Sequence, residues 1–500
     1  MRLLSHKAVV VLLGLLPVLA NSCAAAGEKP GASRTKPSAV ERNSKRPAVQ
    51  TVADSSITVA EIHDYKITRD ELEEQLIREL RPDPYKESLE QSVDADAVLR
   101  KMVAEKAIVI EARAQGLHKA EDIVRSVKRF ADRKLVNQLL MTQLQDKVRV
   151  TESEIKEKMK SDPKLDRAKA QGLLQKEKTR TVVEGYFAEL CEKFHLKKLE
   201  SNFATTAQIH ARLLYRPKQE RKVGWIQAKQ VKDELTSQEK SIVLATFDNG
   251  KVTLEDWFEA VCEIVPPSRP RDLSTPKGVG TLLDRALKMP IFIAEAKLRG
   301  LDKDKALVKQ TRELEDRYVL AKAKSEKTQS DEEPTEEQII DYFNKNKEAF
   351  GISATVKIDQ IWCKNLDSAK KAKAELEDGK DFESVRQKYC LHKKGRPFNT
   401  SPNSEGMFWE DLWKGKPNEI VGPLKGFSPE GVNWRIVKIL EKKLGETKEY
   451  SADMNNNIKR KLQAHQRDAI LAKYREELLE KYEHKIYADR IKDVDPLNIP

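Results

Sequence analysis

The sequence is poor in cysteine, with five in 500 residues. Cys23, Cys191, Cys262, Cys363 and Cys390 are scattered, and no two have C-x-x-C spacing. That is not a disulfide framework. Cys363 and Cys390 are near enough in the chain to pair, but two buried thiols are the simpler expectation. Histidine is sparse too: eight residues, with no H-x-x-H or H-E-x-x-H arrangement. No metal and no cofactor are therefore expected. Long apolar runs are missing after residue 20, and the run 8–20 is too short to span a bilayer as a mature helix. Neither sign of charge dominates: 92 Lys and Arg against 80 Asp and Glu leave +12. Opposite charges interleave along most helical stretches, as in 459–485. That predicts solvated helical faces, and the export pattern at the N-terminus argues against a nucleic-acid partner.

What the chain does have begins with a short basic segment, 1–7, then the apolar run and the small residues 20–26. This is the pattern of a secretory leader, expected over 1–26. Cys23 is the candidate lipidation site, as in bacterial lipoproteins; the alternative is ordinary cleavage near Ser22 or Ala26. Residues 27–56 are rich in Pro, Ser, Lys and Ala and lack apolar periodicity. They read as a disordered linker, and as a membrane tether if Cys23 is acylated.

From residue 57 the patterns become regular. Residues 57–62 alternate as a strand, and 66–68 form a second short one. Thr68 with Glu71 starts a helix. Val98, Leu99, Met102, Val103, Ile108, Val109 and Ala112 give 95–115 a helical stripe, and Gly116 stops it. Thr151 and Glu154 form another capping box. The same series then recurs. Residues 245–257 match 60–72 at an offset of 185, and 295–301 match 111–117 at 184. Thr335 to Ile339 repeats Thr151 to Ile155, also at 184. A strand, turn, glycine stop and capping box recurring in one order mark a duplication. The match resumes further on at an offset of 288, with Leu174, Tyr186 and Phe194 answering Leu462, Tyr474 and Tyr482. The jump marks an insertion in the second copy, between Phe350 and about Tyr450.

The inserted block, 354–443, predicts a strand, two helices, an irregular loop and closing strands. Its segments Gln360-Ile361-Trp362-Cys363, Leu376 to Phe382, Ser404 to Phe408, Asn418 to Pro423 and Asn433 to Ile439 stand in the order and spacing of parvulin motifs. The block therefore resembles the parvulin family of peptidyl-prolyl isomerases. With helical regions around it, nearly all of 57–490 resembles the exported foldases of the SurA and PrsA type.

The resemblance implies an α+β protein: a mostly helical duplicated chaperone module carrying an inserted parvulin-like domain, a small antiparallel sheet flanked by helices. The expected division is 57–205, first helical chaperone unit; 206–240, linker; 241–350, second helical unit. The parvulin-like domain follows at 354–445, and a helix over 450–490 completes the second unit. The implied partners are unfolded or proline-containing polypeptides, and the implied place is the bacterial periplasm or cell envelope. The family's strand histidines fall on Gln360 and Arg435. Its polar or thiol position falls near Cys390 and His392. Met407, Phe408 and Trp413 are the candidates for a proline-binding slot. The segment 413–417 is short by about one pocket-wall helix. A proline amide needs an apolar slot and polar groups that favour the twisted state, not a nucleophile. The altered positions therefore imply a weakened isomerase. The alternatives are a non-catalytic holdase and an envelope assembly scaffold.

Overall fold

A computed structural model describes residues 57–82, 93–145, 147–215, 224–329, 333–392, 395–428 and 431–497. The leader, the first linker and Cys23 lie outside the described residues. The chain opens with β1 (Thr58–Ile62), β2 (Tyr65–Thr68), α1 (Arg69–Leu80) and α2 (Ala95–Ala114). Then come α3 (Glu121–Leu144), α4 (Glu152–Ser161), α5 (Arg167–Lys193), β3 (Lys197–Lys198) and α6 (Phe203–Leu214). The second copy supplies β4 (Val243–Phe247), β5 (Gly250–Thr253), α7 (Leu254–Glu263), α8 (Pro276–Leu298), α9 (Lys305–Lys327) and α10 (Glu336–Lys345). The insert holds β6 (Thr355–Cys363), α11 (Leu366–Glu377), α12 (Phe382–Tyr389), β7 (Phe398–Thr400), α13 (Pro402–Glu405), α14 (Trp409–Lys414), β8 (Ile420–Ser428) and β9 (Gly431–Lys443). Finally α15 (Asn455–Lys481) and β10 (His484–Ile486) close the chain. The fold is α+β, mostly helical, with small antiparallel sheets.

Local chemistry explains the helix starts. Thr68, Thr151, Thr253 and Thr335 each cap a helix, and in each box the third helical residue returns a bond to the cap amide. These are paired positions of the two copies. The four boxes satisfy amides that a helix cannot satisfy internally.

Among the described residues the chain divides into two compact units, one within 121–315 and a second made of 57–120 with 316–497. In the first unit, β3 from the first copy pairs with β4 of the second, Lys197 opposite Thr246 and Lys198 opposite Ala245. In the second unit, β10 pairs with β1, Lys485 opposite Glu61 and Ile486 opposite Ala60. The two registers are equivalent under the sequence offsets. So each copy's opening strands are completed by the other copy's closing strand. The C-terminal helix is therefore not simply the last piece of the second copy. Near its start Ile458 packs with Ile339, Phe343 and Phe350. Further along, α15 lies against α2.

The equivalence extends to side chains. In the first unit Tyr186 stacks on Phe292 at 6.1 Å, and Lys193 pairs with Glu295 at 2.6 Å. In the second unit Lys481 pairs with Glu111 at 2.5 Å and holds that carboxylate below its ordinary range. The first unit's core centres on Trp257 and Phe258, both fully buried. The ring of His210 lies edge-on to Trp257 at 5.8 Å and stacked on Phe258 at 6.1 Å. The stripe on α2 is mostly core as well: Val98, Leu99, Val103, Ile108, Val109 and Ala112 are buried.

In the insert, the four strands run β7-β6-β9-β8, all antiparallel. Helices α11 and α12 pack on one face through Ala369, Ala372, Leu376 and Val385, against Ile361, Cys363 and Ile436. The other face carries Val356, Ile358, Val437 and Ile439 beneath Trp409 and Leu412 of α14.

Candidate functional site

Opposed residues of an antiparallel pair share a face, and successive residues alternate. On β9, Arg435 therefore shares a face with Val437 and Ile439. Its partners across the sheet are Trp362 on β6 and Leu424 on β8. Gln360, opposite Val437, lies on that face too. The two strand positions Gln360 and Arg435 are thus joined: Arg435 Nη1 donates to Gln360 Oε1 at 3.0 Å.

Arg435 is only 1% exposed. A guanidinium taken out of water is costly unless paired. Its partner is Glu405, itself buried, which accepts from Nη2 at 2.5 Å. Thr400 Oγ1 donates to the other carboxylate oxygen at 2.6 Å. The Trp362 ring lies 5.1 Å from the guanidinium carbon, a cation–π contact. Gly426 leaves room for all this: a Cβ there would lie 2.5 Å from the Arg435 guanidinium. Among the described residues, Nε of Arg435 has no hydrogen-bond partner.

The other two polar candidates go elsewhere. Cys390 ends α12 and packs with Ile361, Cys363 and Ile436, on the helix-covered face. Its thiol and that of Cys363 are both free. Burial, followed by the neighbouring Cys390, pushes the Cys363 thiol up to about 12. His392 follows at the end of β6, where Leu391 N–H donates to Trp362 O at 2.8 Å. Among the described residues its Nε2 is buried without a partner. The constellation therefore contains Gln360 and Arg435 but not Cys390.

The aromatic candidates also separate. Phe408 is buried against Phe427, with ring centres 5.0 Å apart. Met407 beside it is half-buried. Trp413 belongs to a different neighbourhood, stacked on Trp409 at 5.3 Å and packed over the strands, with Lys442 above its ring. Segment 413–417 begins inside a six-residue helix, α14, which covers the sheet there. Sequence reading passed over Glu405, Thr400 and Trp362. Glu405 was visible as the acid in the Ser404 to Phe408 motif, but nothing local marked it as the partner of a residue thirty positions later.

The second unit also has a cavity of about 420 Å³, lined by Glu111, Gln115, Glu326, Lys327, Tyr474 and Lys481 among others. Its rim is mostly polar and charged. Among the described residues no group of His, Cys, Asp and Glu has the arrangement of a metal site, and no helix is long and apolar enough to cross a membrane.

No family model matches the chain, and no curated protein does. Among solved structures, it is similar to a SurA-like chaperone of Campylobacter jejuni at 13% identity, covering 45% of this chain and 93% of that one, with a TM-score of 0.21. The peptidylprolyl isomerase PrsA of Bacillus anthracis matches at 21% identity over 41% of this chain and 83% of that one, TM-score 0.20. The foldase protein PrsA of Streptococcus pneumoniae matches at 16% over 41% and 76%, TM-score 0.24. At these scores the likeness assigns no activity to this chain.

Proposed function

We propose that this chain is an exported folding factor that binds unfolded polypeptide and carries a parvulin-type prolyl isomerase domain of weakened activity. The observation that carries the reading is the Arg435–Glu405–Gln360 cluster, set at the parvulin histidine positions on the sheet face covered by α14. Histidines there can share a proton, whereas Gln cannot and Arg keeps its charge. The guanidinium is moreover committed to Glu405, so it has little left to offer a twisting amide. The sheet order and the flanking helices support the parvulin-like fold. Unfolded, proline-containing segments are the partners that such a domain would take. Acylation of Cys23 would tether the protein to a membrane; without it the chain would act in the periplasm or cell envelope as a soluble factor.

Two assays on the full chain test this. The first is kcat/KM on a panel of X-Pro peptides, expected far below that of an ordinary parvulin. The second is suppression of aggregation of a denatured client, expected to persist. Full isomerase activity that is lost in Phe408→Ala would show the altered site to be competent and the weakened reading wrong. A chain with neither property would favour the assembly scaffold.

A further inference from the structure

One contact at the parvulin-like domain is made by another part of the same chain. Helix α1 ends at Leu80, and Arg81 turns extended, with φ −65° and ψ 136°. The residue before a proline is pushed out of the helical region by the ring that follows. The chain thus presents Arg81-Pro82 as an extended dipeptide. Pro82 lies against Gly406, next in the chain after Glu405. A Cβ on Gly406 would fall 2.8 Å from Pro82 Cγ, 3.5 Å from its Cδ and 3.3 Å from Phe427 Cε2. The proline ring and the Phe427 ring therefore fill the space that any other side chain would need. Gly406 also has φ +55° and ψ −130°, a region that only glycine enters freely. Arg81 adds a polar anchor, Nη2 donating to Ser428 O at 3.4 Å. Behind this contact stand Phe408, packed on Phe427, and the buried Glu405–Arg435 pair.

We infer that Arg81-Pro82 is the resident ligand of the Gly406–Phe427 cleft, and that it holds the cleft closed to outside prolyl segments. The ligand class follows from the resident: an extended segment with a basic residue before proline. This rests on the prolyl-binding reading above. A proline suits the cleft because it brings an apolar ring and no N–H that would need a partner. An outside peptide competes only for the fraction of chains in which the corner has lifted. Its apparent affinity is lowered by that fraction.

The test uses the full chain, wild type and Pro82→Gly, with Arg81→Ala as a second variant that keeps the proline. Hydrogen exchange at the amides of Phe408 and Phe427 reads occupancy without reference to any outside ligand. It is expected to rise several-fold in Pro82→Gly and less in Arg81→Ala, while β1 amides stay unchanged. Equal exchange in all three overturns resident occupancy. Binding of a short labelled peptide with one Arg-Pro bond is then compared with its Arg-Ala counterpart. Affinity for the Arg-Pro peptide is expected to rise at least about fivefold in Pro82→Gly. Raised exchange with no binding of either peptide overturns the ligand class and the prolyl-binding reading together. Raised exchange with equal binding of both peptides overturns the ligand class but keeps peptide binding.

Discussion

The guanidinium of Arg435 is shielded from water in the middle of a sheet, so its presence there depends on Glu405. Removing one member of a buried pair typically costs about 3–5 kcal/mol, because the other is left charged and unsolvated. Glu405→Ala is expected to lower stability by that amount, and Glu405→Ala combined with Arg435→Met to recover most of it. Urea midpoints followed by tryptophan fluorescence would check this; a loss below about 1 kcal/mol would mean the charge finds water. The sequence located Arg435 and Gln360 by alignment of strand positions. It missed their partner because the contact is made across the sheet face from the end of the short helix α13, not by a neighbour in the chain. His210 behaves differently. Burial, and then Arg269, hold its pKa down at about 4, and its Nδ1 lies 2.8 Å from Ser274 Oγ. The folded state thus prefers the neutral ring, and the unfolded ring titrates near 6.5. Its contribution is present above about pH 6.5 and declines as pH falls: roughly 2 kcal/mol lost by pH 5 and about 3 by pH 4. In His210→Phe the ring stays between its aromatic neighbours, and the fall in stability across this window should be smaller by that amount.

At the scale of elements, much was legible. Thr151 and Thr335 were readable as caps, because a hydroxyl followed three residues later by a side-chain acceptor is a local signal. Both boxes form. Thr151→Ala and Thr335→Ala should each cost about 1 kcal/mol, seen as faster amide exchange in the first turns of α4 and α10. Cap loss in one helix should leave the other unchanged. Which strand completes which sheet was not legible. The repeats make β3 and β10 equivalent, so either could serve either copy on local grounds. Only long-range packing chooses between them.

For the whole molecule, the recurring order of elements was legible and their grouping in space was not. Among the described residues, the first compact unit lies within 121–315, with its own core around Trp257. As a separate fragment it should fold, with cooperative urea unfolding and native-like near-ultraviolet dichroism. A fragment cut at the repeat boundary, 57–205, should not, because it holds β1 without β10 and β3 without β4. The pairing of Ala60 with Ile486 has a further consequence in time. A ribosome adding about 5–20 residues per second needs roughly 20–80 s to travel from one strand to the other. During that interval β1 offers an open edge to any passing strand. The first sheet edge to be synthesised is thus among the last to be covered, so the newborn chain itself is a client of the kind this protein is proposed to protect.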